Sequence, residues 1–140
     1  MTDPLIVLGL DIGDRHIGAA IGNVITQTAT PLPDLPNDNS VINQLLALHR
    51  QYNFSKIIVG LPVTATGKYG IQAQKVKSLA ETIKTALPVE IILEDERFTT
   101  QAASKFLRKH PHIAASIDAI SAQLIVEGWL GQAGGPKKSI

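Results

Sequence analysis

Three β-prone segments follow one another between Leu5 and Thr30 with almost no chain between them, and this crowding constrains the fold more than any other feature. Leu5–Ile12 is an apolar run of Ile, Val and Leu, and Gly13 to His16 makes a turn. Ile17–Ile21 returns, Gly22-Asn23 supplies a second turn, and Val24–Thr30 reads as a third strand. A parallel connection needs a dozen or more residues, so strands joined this tightly form an antiparallel meander.

The remainder alternates between two periods. Pro31 to Asn39 carries three prolines and reads as a loop. Ser40 is placed to cap a helix whose Val41, Ile42, Leu45, Leu46 and Leu48 trace one apolar face. Lys56–Gly60 is a short strand, and Leu61 to Gly70 a glycine-containing loop with the features of a flap. A helix to about Leu87 follows, with Val76, Leu79, Ala80 and Ile83 inward, and then a strand over Val89–Leu93. Thr99 or Thr100 caps a helix through Arg108, and Ser116 caps a last one to about Leu130, with Ile117, Ile120 and Leu124 as its apolar stripe. The order is βββαβαβαα. Crossover helices make the first, fourth and fifth strands parallel, with right-handed connections. The expected fold is α/β, a mixed five-stranded sheet ordered 3-2-1-4-5 with helices on both faces.

The chain has 140 residues, the size of one domain. Residues 1–130 read as that domain and 131–140, which lack periodicity, as a flexible tail. Without cysteine there is neither a disulfide framework nor a thiolate metal site. The opening residues lack the basic start of an export signal, and no apolar stretch nears the roughly 20 residues that span a bilayer. A cytoplasmic protein with no membrane partner is expected.

Acidic residues carry the chemistry. In this topology ligands gather beyond the carboxyl ends of the central strands. Asp11 ends the first strand between Leu10 and Ile12, where a carboxylate is costly unless something pairs with it. It can also serve as a turn residue, a role that Asp14 fits better. Glu94-Asp95-Glu96-Arg97 follows the fifth strand, and alternation sends Asp95 to one side and Glu94 with Glu96 to the other. A solvated loop neutralised by Arg97 is the plainer account, and the one preferred for Glu94. Asp118, in the first turn of the last helix, complements the helix dipole whatever else it does. Asp11, Glu96 and Asp118 at one sheet edge would make an oxygen-rich site suited to Mg²⁺ or Mn²⁺. The four histidines show no zinc spacing.

At these residues the chain resembles the YqgF/RuvX family along nearly its whole length. The resemblance rests on Leu8-Gly9-Leu10-Asp11-Ile12-Gly13 with Ile17-Gly18, and on Ile58-Val59-Gly60-Leu61-Pro62 followed by Gly67 and Gly70. It continues in Asp95-Glu96-Arg97-Phe98-Thr99-Thr100 and in Ile117-Asp118-Ala119-Ile120-Ser121-Ala122 through Leu124-Ile125. It implies a ribonuclease H-like fold and a nuclease that matures the 5′ end of precursor 16S ribosomal RNA. An older label for the family is Holliday junction resolvase. By motif position Asp11, Glu96 and Asp118 inherit the three acidic roles, and the resemblance implies Asp95 as an auxiliary metal ligand. Val63-Thr64-Ala65-Thr66, Lys68-Tyr69 and Ala114-Ala115 depart from the family's usual residues, in segments that would contact substrate.

Two other functions compete. The glycine-rich LDIGDRHIG also resembles the first phosphate loop of actin-like ATPases and sugar kinases, but those need a second such domain. A non-catalytic nucleic-acid module is disfavoured by the joint presence of three acids. The net charge of +1 says little, but its distribution is uneven: residues 1–50 hold only Arg15 and Arg50 of the thirteen Lys and Arg. Arg15, Lys68, Arg97, Lys105, Arg108 and Lys109 are the candidate phosphate contacts, and the run at 105–112 equally suits a solvated helix face. The expected partner is precursor rRNA, with branched DNA as the alternative, and a monomer or weak homodimer suffices for trimming one strand.

Overall fold

In the computed structural model, which describes residues 3–64, 66–96 and 99–132, five strands form one sheet ordered β3-β2-β1-β4-β5. β1 (Asp3–Ile12), β2 (His16–Asn23) and β3 (Thr28–Pro36) make the meander. α1 (Val41–Tyr52) leads to β4 (Phe54–Pro62), and α2 (Ile71–Ala86) to β5 (Glu90–Glu96). α3 (Thr99–Lys109) and α4 (Ile117–Leu130) complete the chain. β1 is antiparallel to β2 and parallel to β4, and β4 is parallel to β5, as the connection lengths require. The expected α/β sheet and strand order are therefore observed. Among the described residues no helix is long and apolar enough to cross a membrane.

Alternation along the central strands splits the core in two. Leu8, Leu10, Ile57 and Val59 face α1 and α2, whereas Val7 and Ile58 face Ile125, Val126 and Trp129 of α4. Burying each such side chain stabilises the fold by roughly 1.5–3 kcal/mol. Helices thus cover both faces, with α3 packed against α4. α4 buries Ala119, Ile120, Ala122, Ile125, Val126, Trp129 and Leu130. The expected stripe is corrected here: Ile117 is exposed and Leu124 only half-buried, because a helix held between sheet and α3 buries more than one row.

The third strand lies later than its β-branched composition suggests. β2 runs through Asn23, whose side-chain oxygen accepts from the amides of Ile25 and Thr26 at 2.9 and 3.0 Å. That Asx turn takes Val24 to Gln27 out of the sheet and leaves Ile25 62% exposed. β3 then includes Pro31, Pro33 and Pro36, the segment expected to be a loop. Prolines are tolerated because β3 is an edge strand. A bulge gives β3 one extra residue between the pairs Ala19–Leu32 and Ile17–Leu35, which returns Pro36 to the parity of Pro31 and Pro33.

Two ends also differ. β5 extends through the three acids to Glu96, since Gly60, Leu61 and Pro62 continue to pair with Glu94, Asp95 and Glu96. Ser40 starts α1 without capping it; its amide and hydroxyl both donate to the Asp38 carboxylate. The expected tail lies, from residue 133 onward, outside the described residues.

Candidate metal and nucleic-acid site

Asp11 and Glu96 belong to strands that are not neighbours. β4 lies between them, and Glu96 is two residues further along than Asp11, so their backbones stand about 11–12 Å apart. Both side chains project on the α4 face, Asp11 in the parity of Val7 and Glu96 in that of Ile92. Their carboxyl groups nevertheless come near enough to act on one another's charge. Gly60 makes this reach feasible: a Cβ there would lie 2.8 Å from Glu96 Oε2 and 2.5 Å from Ile125 Cδ1. The Glu96 side chain crosses β4 through the space that glycine leaves.

The other side of Asp11 is arranged in the same way. Asp11 pairs with Gly18 on β2, and a Cβ on Gly18 would stand 1.9 Å from the carbonyl oxygen of Asp118. The first turn of α4 therefore rests on bare backbone. Ser116 caps that turn as expected, its Oγ accepting from the Ala119 amide at 2.9 Å. The cap brings Asp118 to the same edge as Asp11, within range of charge interaction.

The electrostatics follow from crowding carboxylates at a partly dry edge. Burial, and then the charge of Glu96, Asp118 and Asp34 together with the hydrogen bond to Glu96, pushes the Asp11 carboxyl up to about 7. Asp118 is raised by burial and by Asp34, and partly relieved by His16. Glu94, half-buried on the α4 side, is raised by burial and by Asp95, with a hydrogen bond from Gln132 opposing. Among the described residues, no three His, Asp or Glu side chains stand close enough together to cage an ion unaided. What is assembled is one close carboxylate pair, Asp11 and Glu96, with Asp118 and Asp34 acting on Asp11 through their charge. The donor set is oxygen only and over-supplied with negative charge, which fits a hard divalent cation and not zinc.

Asp95 does not join this group. It faces α2, as alternation requires, and accepts from the Tyr69 hydroxyl at 3.0 and 2.9 Å. Lys77 Nζ lies 4.8 Å from the centre of the same ring, so the 63–70 loop is tied to β5 and α2. Within the loop, Thr64 N donates to Lys68 O and Gly67 N to Thr64 O, both at 2.8 Å. Arg15, Lys68, Lys105, Arg108 and Lys109 are exposed, and Arg97 lies outside the described residues. Lys105, Arg108 and Lys109 share one face of α3 by their spacing. Phe106 is half-buried and stacked on His110 at 4.3 Å, whereas Trp129 is buried.

Asp34 was not among the expected acids. Its place in a proline-rich segment that reads as a loop concealed it, and only the extension of β3 brings it to the edge that holds Asp11.

Known proteins share this shape and this sequence pattern. The structure resembles T. thermophilus RuvC in complex with a Holliday junction substrate, with TM-score 0.59 and 13% identity over 94% of this chain and 98% of that one. It also resembles the fowlpox virus Holliday junction resolvase, with TM-score 0.52 and 13% identity over 86% and 94%. At such identities the likeness shows the ribonuclease H-like fold alone. In sequence, the chain is 41% identical to a Sulfurihydrogenibium sp. protein named "Putative pre-16S rRNA nuclease", over 89% of this chain and 88% of that one. A Chloroflexus aurantiacus protein of the same name is 36% identical over 89% and 86%. The family profile described as "RuvX: Holliday junction resolvase" matches residues 5–132, and the chain belongs to the RuvX family.

Proposed function

We propose that this chain is a metal-dependent endonuclease that hydrolyses phosphodiesters of precursor 16S ribosomal RNA and so trims its 5′ end. The observation that carries the reading is the Asp11–Glu96 pair, brought together over Gly60 at the carboxyl edge of the central strands, with Asp118 and Asp34 adding charge from α4 and β3. An uncompensated group of this kind is destabilising, and chains keep such groups where a cation offsets the repulsion. Asp11 and Glu96 would hold Mg²⁺ or Mn²⁺, with Asp118 drawn in from longer range, and the ion would supply Lewis-acid stabilisation of charge on a scissile phosphate.

The chain's own residues do the rest. Asp11 must lose its proton to serve as a ligand, so binding the cation would release that proton and bring the carboxyl down from its raised value. The Glu96 side chain, confined above Gly60, presents its carboxylate toward Asp11. Arg15, Lys68, Arg97 and the α3 face of Lys105, Arg108 and Lys109 would follow phosphates on either side. The names of the sequence relatives support RNA over DNA. The family profile's description and the likeness to a junction-bound resolvase favour a four-way DNA junction as the competing substrate, whose paired incision needs two sites in a symmetric dimer.

The test is a cleavage panel of 5′-extended 16S precursor RNA, unstructured RNA and a four-way DNA junction, with Mg²⁺, Mn²⁺ or EDTA. Wild type should cut the precursor near its mature 5′ end with either ion, and Asp11→Asn and Glu96→Gln should abolish cutting. Symmetric paired nicks on the junction with intact RNA would replace this reading by junction resolution.

A further inference from the structure

We propose that Asp34 is a positioning residue: through Ser116 it fixes the first turn of α4, and with it Asp118, relative to the Asp11–Glu96 pair. The proposal rests on the reading of that pair as the nuclease centre. Ser116 Oγ donates to Asp34 Oδ1 at 2.6 Å, across 82 residues of sequence, while accepting from the Ala119 amide at 2.9 Å. A hydroxyl has one proton, so committing it to Asp34 turns a lone pair toward the helix N-terminus. The carboxylate therefore orients the cap, and the cap orients the turn that carries Asp118.

Two constraints then locate that turn. Its distance from the sheet is set by contact with the backbone at Gly18, where no side chain intervenes. Its sideways position is held by the packing of Ala119 and Ile120, both buried, and by one polar link at the start of the turn. Between Pro31–Asp34 and Ala114–Ser116 lies a groove of about 430 Å³, room for several water molecules. The Ser116–Asp34 bond bridges this groove. Asp34 itself is placed by the bulge in β3 opposite Gly18, which carries it into line with Gly18 and Asp11 across the sheet. Its charge also reaches both Asp11 and Asp118.

The experiment compares Asp34→Ala, Asp34→Asn, Ser116→Ala and Ser116→Thr with wild type in two readouts. The first is amide hydrogen exchange at Ala119, with Val59 in the central strand as internal control, and it is independent of activity. Asp34→Ala and Ser116→Ala should speed exchange at Ala119 about ten-fold and leave Val59 unchanged, whereas Asp34→Asn and Ser116→Thr, which keep an acceptor and a hydroxyl, should restore it. The second is Mn²⁺-supported cleavage of precursor RNA. The two alanine variants should lose kcat by about 10–100-fold with KM little changed, the usual cost of losing a partner that orients a ligand. The double alanine variant should be no worse than either single one. Wild-type exchange at Ala119 in Asp34→Ala, equal acceleration at Val59, or Asp34→Asn as damaging as Asp34→Ala would overturn the proposal. If wild type cleaves no RNA with any cation, the nuclease reading fails and the Ala119 exchange alone decides the role of Asp34.

Discussion

Replacing Asp11 by Asn keeps the shape of the side chain and an amide that can donate to Glu96, but removes the charge. Burial and three neighbouring carboxylates hold the Asp11 carboxyl near 7 against an ordinary 3.8. At about 1.36 kcal/mol per pH unit, that separation corresponds to an upper bound of about 4 kcal/mol of stability lost once the group ionises. Water at the sheet edge screens part of this, so about 1–3 kcal/mol is expected. The sign follows from proton counting. Between about pH 4 and 7 the folded chain keeps a proton that the unfolded chain has released, so stability is fully present at the acid side and is lost as pH rises. Asp118 and Glu94 push the same way, and the exposed Asp38, lowered by its bonds to Ser40, pushes the other. Subtracting variant from wild type isolates Asp11. Urea unfolding in EDTA should find the two of similar stability near pH 4, and Asp11→Asn ahead by about 1–3 kcal/mol near pH 8.5. Mg²⁺ at about a hundred times its dissociation constant should then raise wild type by about 2.7 kcal/mol and leave the variant unmoved. A difference between the two proteins that does not change with pH would refute the account of the carboxylate cluster.

Three further outcomes test the architecture. Gly60→Ala places a Cβ against the flexible ends of Glu96 and Ile125, so the fold should survive at a cost of about 1–3 kcal/mol, while the acid-side stability gain shrinks as Glu96 is displaced from Asp11. Gly18→Ala meets the Asp118 backbone at 1.9 Å and cannot be relieved by a side-chain rotation; thermal unfolding should show a loss of about 3 kcal/mol or more, against less than about 0.5 for Gly70→Ala, which meets nothing within 4 Å. Neutralising Lys105, Arg108 and Lys109 together should flatten the dependence of log binding constant on log salt for single-stranded RNA by up to about 2, about 0.7 for each phosphate no longer neutralised, and an unchanged slope would remove α3 from the interface.

The sequence by itself determined the order of elements, the parallel and antiparallel pairings and the strand order, because connection length decides whether two strands can be antiparallel neighbours and hydrophobic period decides strand or helix. It also pointed to Asp11, Glu96 and Asp118, since charge in or beside an apolar run is conspicuous. Even the divergence of Asp95 from Glu96 was readable, as strand alternation allows no other result. What it could not determine was anything set by the meeting of distant segments. The start of β3 moved because Asn23 captures two turn amides, a choice invisible to β-propensity. The prolines of β3 are admissible only at an edge, and that edge placed Asp34 beside Ser116 across 82 residues. Gly18 and Gly60 stand in strands that read as ordinary apolar runs. Only the tertiary structure shows that one lets α4 rest on backbone and the other lets Glu96 cross a strand to meet Asp11. Propensity is a property of one segment, whereas the site depends on the space left between several.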